Sequence, residues 1–209
     1  MFGWLKGKQK IEGELGYFGL GDWWLMTFTD KERDYIEKVY QPMSIGRSDD
    51  KPLTQGKIIS TSETAVGLLA GLAGWFQKPA DRSIAKRILE KAEELGSSNE
   101  NILDLHFLYQ GMIQSAYKAR DTEPGALDTA IEACEKQIAI APKAAKQFKR
   151  EYPESTLPAH VGYTQLAIIR EKQKDYLEAI RLASQAKKQG WNDDWDKRIE
   201  RCQAKLKKE

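Results

Sequence analysis

The sequence predicts an all-α fold, a series of antiparallel helix pairs preceded by an aromatic, glycine-rich N-terminal segment. Three observations lead there. In Gly162–Trp191 apolar and small residues recur at helical spacing: Tyr163, Leu166, Ala167 and Ile169 before a polar break, then Tyr176, Ala179, Ile180, Ala183 and Ala186 after it. The break, Glu171–Asp175, is short enough to turn the second helix back along the first. Upstream the same pattern returns at the same offsets, Leu69, Leu72, Ala73 and Phe76, then Ala85, Leu89 and Ala92. Residues 1–59 have a different texture, crowding Trp4, Tyr17, Phe18, Trp23, Trp24 and Phe28 among glycines that disfavour one long early helix.

Taken in order, Ile11–Phe18 reads as a short extended piece, and the chain turns helical from Asp22. Thr29 and Glu32 form a capping box for a helix over Asp30–Tyr40 that stops before Pro42. Trp23, Trp24, Phe28, Ile36 and Tyr40 give these helices an apolar face, expected to pack on the first helix pair and cap the array. Met43–Thr54 is a polar connector or hinge, and Ser60–Glu63 supplies a second capping box that opens the repeats. The helix that follows carries Gly67, Ala70, Gly71 and Gly74 beside its leucines, so it is small or apolar all round and expected to be buried on more than one side. Lys78–Asp81 is the turn inside this pair, and Gly96–Asn99 links it to the next.

Leu103–Arg120 predicts the next leading helix, with Asp121–Thr129 as a long loop after it. Ala130, Cys134, Gln137 and Pro142 read as the returning helix and its closing proline, which is expected to interrupt the helix and leave a further segment over Lys143–Tyr152. Tyr152–Pro158 breaks the chain before the Gly162–Trp191 pair. Asn192 or Asp193 then caps a last helix, over 192–208, with Trp195, Ile199, Cys202 and Leu206 on one face.

The spacing of Leu69, Leu72, Ala73, Phe76, Ala85, Leu89 and Ala92, repeated in Tyr163–Ala186, resembles the tetratricopeptide repeat. Arg170 stands where that family prefers an aromatic residue, and Ala183 is smaller than usual. The resemblance covers about Ser62–Glu209, within a helical-repeat domain expected over 60–209. It implies a right-handed superhelix of antiparallel helix pairs, an α-solenoid closed by the C-terminal helix, whose leading helices line a groove that holds a peptide or helix of a partner protein. By helical phase that groove falls to Val161, Thr164, Ile168, Glu171 and Lys172 in the last repeat, and to Tyr109, Gln110, Gln114 and Tyr117 in the middle one. Amides, tyrosines and a lysine suit hydrogen bonding to an extended backbone or a carboxylate. Small proteins of this kind also imply a bacterial, cytoplasmic source.

The chain has 209 residues and a net charge of +2, enough length for a sizeable core and no clustered basic excess of the kind a nucleic-acid binder shows. No apolar run is long enough to span a bilayer, and the start lacks the hydrophobic stretch of a signal peptide. Cys134 and Cys202 lie at apolar helical positions as small core residues, and His106 and His160 show no metal-ligand spacing. No nucleophile elbow, zinc motif or phosphate loop occurs, so the expectation is a non-enzymatic adaptor without cofactor or metal. Two other readings stay open. One is self-association through the N-terminal aromatics or the Trp195 helix, giving a homodimer; the other is a small-ligand sensor or enzyme with a pocket between the N-terminal segment and the repeats.

Overall fold

The computed structural model describes residues 10–42, 51–96 and 101–208. The described residues are helical with no strand, and they divide into two compact units, Met1–Leu68 and Leu69–Glu209. The predicted Trp4 segment, most of the Met43–Thr54 connector and the Gly96–Asn99 link after its glycine lie outside the described residues.

The first unit holds α1 (Gly13–Tyr17), α2 (Gly21–Thr27) and α3 (Asp30–Val39). The extended piece expected over Ile11–Phe18 is instead a short helix. Its first-turn N–H groups, which no helix can satisfy internally, find carbonyls in the loop that follows α3: Glu14 donates to Pro52 (3.0 Å), Leu15 to Leu53 (2.9 Å) and Gly13 to Gly56 (2.9 Å). Gly13 sits at φ +58°, and a Cβ there would come within 2.4 Å of the Pro52 carbonyl, so the approach requires glycine. This part of the expected hinge is thus tied down, with Leu53 fully buried. The Thr29–Glu32 capping box of α3 is present as predicted, and Trp24 and Phe28 are buried with ring centroids 5.1 Å apart.

Helix α4 (Ala65–Ala73) follows, and the division between the units falls inside it. Its cap is not Ser60 but Thr64, whose hydroxyl accepts from Gly67 N (3.0 Å) while its carbonyl accepts from Leu68 N (2.9 Å). Gly74, Trp75 and Phe76 continue α4 with bonds to the residue three back, tightening the turn that buries Phe76. One 3-10 turn, Pro79–Asp81, occupies the predicted reversal before α5 (Arg82–Gly96). All the signature positions Leu69, Leu72, Ala73, Phe76, Ala85, Leu89 and Ala92 are buried.

The rest of the second unit is α6 (Ile102–Ala119), α7 (Ala126–Glu151), α8 (Val161–Lys172), α9 (Tyr176–Gln189) and α10 (Trp195–Leu206). Consecutive helices from α5 onward pack on each other, and α6 also meets α8. Their shared core runs from Leu103 through Cys134, Ala144, Tyr163 and Ala183 to Trp195. Three expectations change here. The loop after α6 ends at Gly125, and α7 starts within the stretch expected to be loop. Pro142 does not end α7, which runs unbroken for 26 residues. Pro142 is exposed, whereas Ala141, Ala144, Ala145 and Phe148 are buried, so the packing of that stripe outweighs the roughly 3 kcal/mol that an interior proline costs. The last helix begins at Trp195 without a side-chain cap, because the Asp193 carboxylate is turned to Thr164 Oγ1 (2.9 Å) and to the Asp194 N–H (2.7 Å).

Candidate functional site

The residues assigned to the groove lie on α6 and α8. On α8 they do share one face, but its two edges differ. Thr164 is held by Asp193, and Glu171 is held by α10: Arg201 Nε and Nη2 donate to its two oxygens at 2.9 and 2.8 Å, and Lys205 Nζ donates at 2.8 Å. Arg198 Nη1 approaches to 3.7 Å. The Arg201 and Lys205 hydrogen bonds outweigh the effect of burial and hold the Glu171 carboxyl down at about 2. Glu171 is therefore a pin between α8 and α10. Val161 is half-buried and packs on the core cluster.

Lys172, on the other edge, is exposed and points to α6. Its Nζ donates to Tyr117 Oη at 3.1 Å, joining residues 55 apart in sequence, and stands 5.7 Å from the ring centroid. Arg120 lies over the same ring with Cζ at 4.2 Å, held by its own bond to the Tyr117 carbonyl (2.8 Å) and by Asp121 (2.9 Å). Gln114 is exposed and Gln110 and Ile168 are half-buried. Gln110, Gln114 and Tyr117 share a side of α6 by helical phase. Tyr109 does not: it falls with Met112 and Ala116 toward Glu93 and Lys136, and burial followed by the Glu93 charge pushes its phenol up. Of the nine residues, the structure brings Tyr117 and Lys172 into direct contact.

Behind this face lies a buried polar cluster that the sequence did not reveal. Gln137 of α7, fully buried, donates through Nε2 to the His106 carbonyl of α6 (2.8 Å) and accepts through Oε1 from Gly162 N of α8 (2.6 Å). One side chain thus ties three helices. A Cβ at position 162 would lie 2.8 Å from Gln137 Oε1 and 3.0 Å from the Cys134 carbonyl, so glycine permits this approach. The His106 and His160 rings sit 5.1 Å apart, with Trp191 stacked on His106 at 5.5 Å and edge-on to His160 at 4.6 Å. His160 caps α8, its Nδ1 accepting from Tyr163 N (3.2 Å). Burial lowers His106 to about 4; burial and the neighbouring His106 lower His160 to about 3. Both rings are neutral at physiological pH. The sequence signal was Gln137 itself, a polar residue in the otherwise apolar stripe Ala130, Ala133, Cys134, Ala141 and Ala144.

Burial also pushes the Cys134 thiol up to about 12, which keeps it protonated and unreactive at neutral pH. Among the described residues no group of three or more His, Cys, Asp or Glu is placed to hold a metal ion, and no helix is long and apolar enough to cross a membrane. In the first unit, Glu37 is buried and accepts from the Thr54 hydroxyl; desolvation pushes its carboxyl up, as it does that of Glu14. The α6–α8 face presents a lysine and an aromatic hydroxyl beside the exposed Gln114 and the half-buried Gln110 and Ile168. No protein-family model, no curated protein and no solved structure matches the chain.

Proposed function

We propose that this protein is a non-enzymatic adaptor whose α6–α8 face binds a segment of a partner protein. The observation that carries this is the Lys172–Tyr117 bridge. Lys172 is exposed, its hydrogen bond goes to the Tyr117 hydroxyl, and no carboxylate among the described residues pairs with it. A peptide carboxylate or carbonyl can therefore reach its ammonium without displacing an anion. Gln114, exposed on the Tyr117 side of α6, adds a donor and acceptor for an extended backbone. The buried signature positions and the contact between alternate helices α6 and α8 support a tetratricopeptide-like superhelix as the scaffold. Two buried free thiols suit a reducing cytoplasm.

The test is affinity capture from a lysate of the source cells, comparing the intact chain with a Lys172→Glu/Gln114→Ala variant shown by circular dichroism to be folded. Capture of one protein by the intact chain and its loss in the variant supports the face. Equal capture by both removes the α6–α8 face as the contact.

A further inference from the structure

The opposite side of α6 carries a crevice that the partner-binding reading does not use. It encloses about 360 Å³ between α5, α6 and α7, a volume in the range of small-molecule sites. Its floor is apolar and mostly small: Leu89 from α5, Met112 and Ala116 from α6, Ala126 and Ala133 from α7. Two ion pairs span it. Lys136 of α7 meets Glu93 of α5 at 2.7 Å, and Arg82 at the start of α5 reaches the Lys118 carbonyl in the last turn of α6 (3.1 Å) and, beyond that helix, Thr122 Oγ1 (3.0 Å) and Glu123 (3.5 Å). These struts fix α5 at both ends, and the alanines between them leave the space open.

The rim decides what can enter. Every cation that lines the crevice already has a carboxylate: Arg82 has Glu123, Lys86 has Glu90 at 4.0 Å, and Lys136 has both Glu93 and Glu132 at 2.7 Å. Four carboxylates, Glu90, Glu93, Glu123 and Glu132, share these three cations, so an anionic ligand meets repulsion at the rim, and a charge of either sign gives up its water to lie on the apolar floor. A neutral apolar molecule covers the floor and disturbs none of these pairs. We propose that the α5–α6–α7 crevice is a binding site for a small, uncharged, apolar molecule of the aromatic or compact aliphatic class, separate from the α6–α8 face and independent of its role.

The experiment is a titration of the ¹⁵N-labelled full chain at pH 7 with 2-naphthol, followed by amide chemical shifts. In parallel, 2-naphthoate and 2-naphthylmethylammonium carry the same ring with a negative or a positive charge. The expected result is saturable binding of 2-naphthol with shifts centred on Ala116, Thr129 and Ala133, and at least tenfold weaker binding of both charged analogues. Ala116→Leu fills the floor and Thr129→Trp covers the mouth from an exposed position; each is expected to weaken 2-naphthol at least tenfold. Thr129→Trp decides the matter if Ala116→Leu does not fold. Shifts centred elsewhere, no saturation, equal binding of a charged analogue, or unchanged binding in the folded variants would each overturn the assignment.

Discussion

Replacing Glu171 with glutamine should loosen α10 and remove a defined part of the protein's acid sensitivity. The Glu171 side chain is 12% exposed and gathers Arg201, Lys205 and Arg198, three cations spaced along one side of α10. Its pKa of about 2, against the ordinary 4.5, corresponds to roughly 3 kcal/mol of preference for the charged form in the folded state. Arg201 and Lys205 are each about half exposed, and water around them screens the attraction, so about 2 kcal/mol is the expected share in stability. Glutamine keeps the volume but withdraws the charge. It leaves Arg198, itself 12% exposed and with a buried Nε that no acceptor reaches, beside two other cations.

The sign in pH follows from the depressed value. Stability from Glu171 is complete above the unfolded value near 4.5 and drains away as pH falls through 4.5 toward 2. Urea unfolding of the native protein and Glu171→Gln at pH 7 should therefore differ by about 2 kcal/mol, and at pH 3 by less than half of that. Amide exchange over Ile199–Cys202 should quicken in the variant more than exchange over α6. A gap that is the same at pH 7 and pH 3, or below about 0.5 kcal/mol at pH 7, refutes the view of Glu171 as an ionic pin.

Other perturbations test the interior. Gln137→Leu leaves the His106 carbonyl and the Gly162 N–H without their partner, and should cost about 2–4 kcal/mol in urea unfolding; a loss under 1 kcal/mol means the helices re-satisfy those groups on their own. Pro142→Ala restores an N–H to α7 at an exposed position and should stabilise by about 1–2 kcal/mol, raising Tm by roughly 3–6 °C; an unchanged or lower Tm would show that the ring contributes packing. His106→Phe keeps an aromatic ring beside Trp191 and removes a group held at about 4. Because the folded protein binds this proton less readily than the unfolded chain, native stability falls as pH drops from the unfolded value near 6.5 toward 4. The variant should lack that part of the slope, up to about 1.4 kcal/mol per pH unit, in acid titrations followed by tryptophan fluorescence.

The helices were legible where a local period carries the information. Tyr163, Leu166, Ala167 and Ile169, and their upstream counterparts Leu69, Leu72 and Ala73, are all buried because burial of a helix face repeats every turn. Thr29 and Glu32 were legible for the same reason, their contact being three residues long. The misread points are those where a distant partner decides. The extended piece expected over Ile11–Phe18 gave way to a helix because loop carbonyls at Pro52, Leu53 and Gly56 receive its N–H groups. Pro142 stayed helical because the stripe on the other side of α7 is buried against other helices. The residues expected to line a groove share one face of α8 by phase, yet nothing in Val161–Lys172 could say that α10 would claim Glu171 through residues 30 and 34 positions away.

These pins explain why α6 can present two surfaces of opposite character. Gln137 fixes α6 to α7 and α8 from inside, Lys136–Glu93 fixes α7 to α5, and Glu171 fixes α8 to α10. Each uses up polar groups where helices must hold their spacing. What is left unpaired is then informative. On the α5–α7 side every rim cation is already held by a carboxylate above an apolar floor, so under the proposed reading a ligand gains there by covering carbon. On the α8 side Lys172 donates to the Tyr117 hydroxyl, so under the proposed reading a ligand gains there by bringing a carboxylate or carbonyl. Under the proposed readings a single substitution separates the two. Lys172→Glu should abolish partner capture and leave 2-naphthol binding unchanged, whereas Thr129→Trp should do the reverse. Loss of both activities in one folded variant would mean that the two faces of α6 are coupled and that the helix moves as it binds.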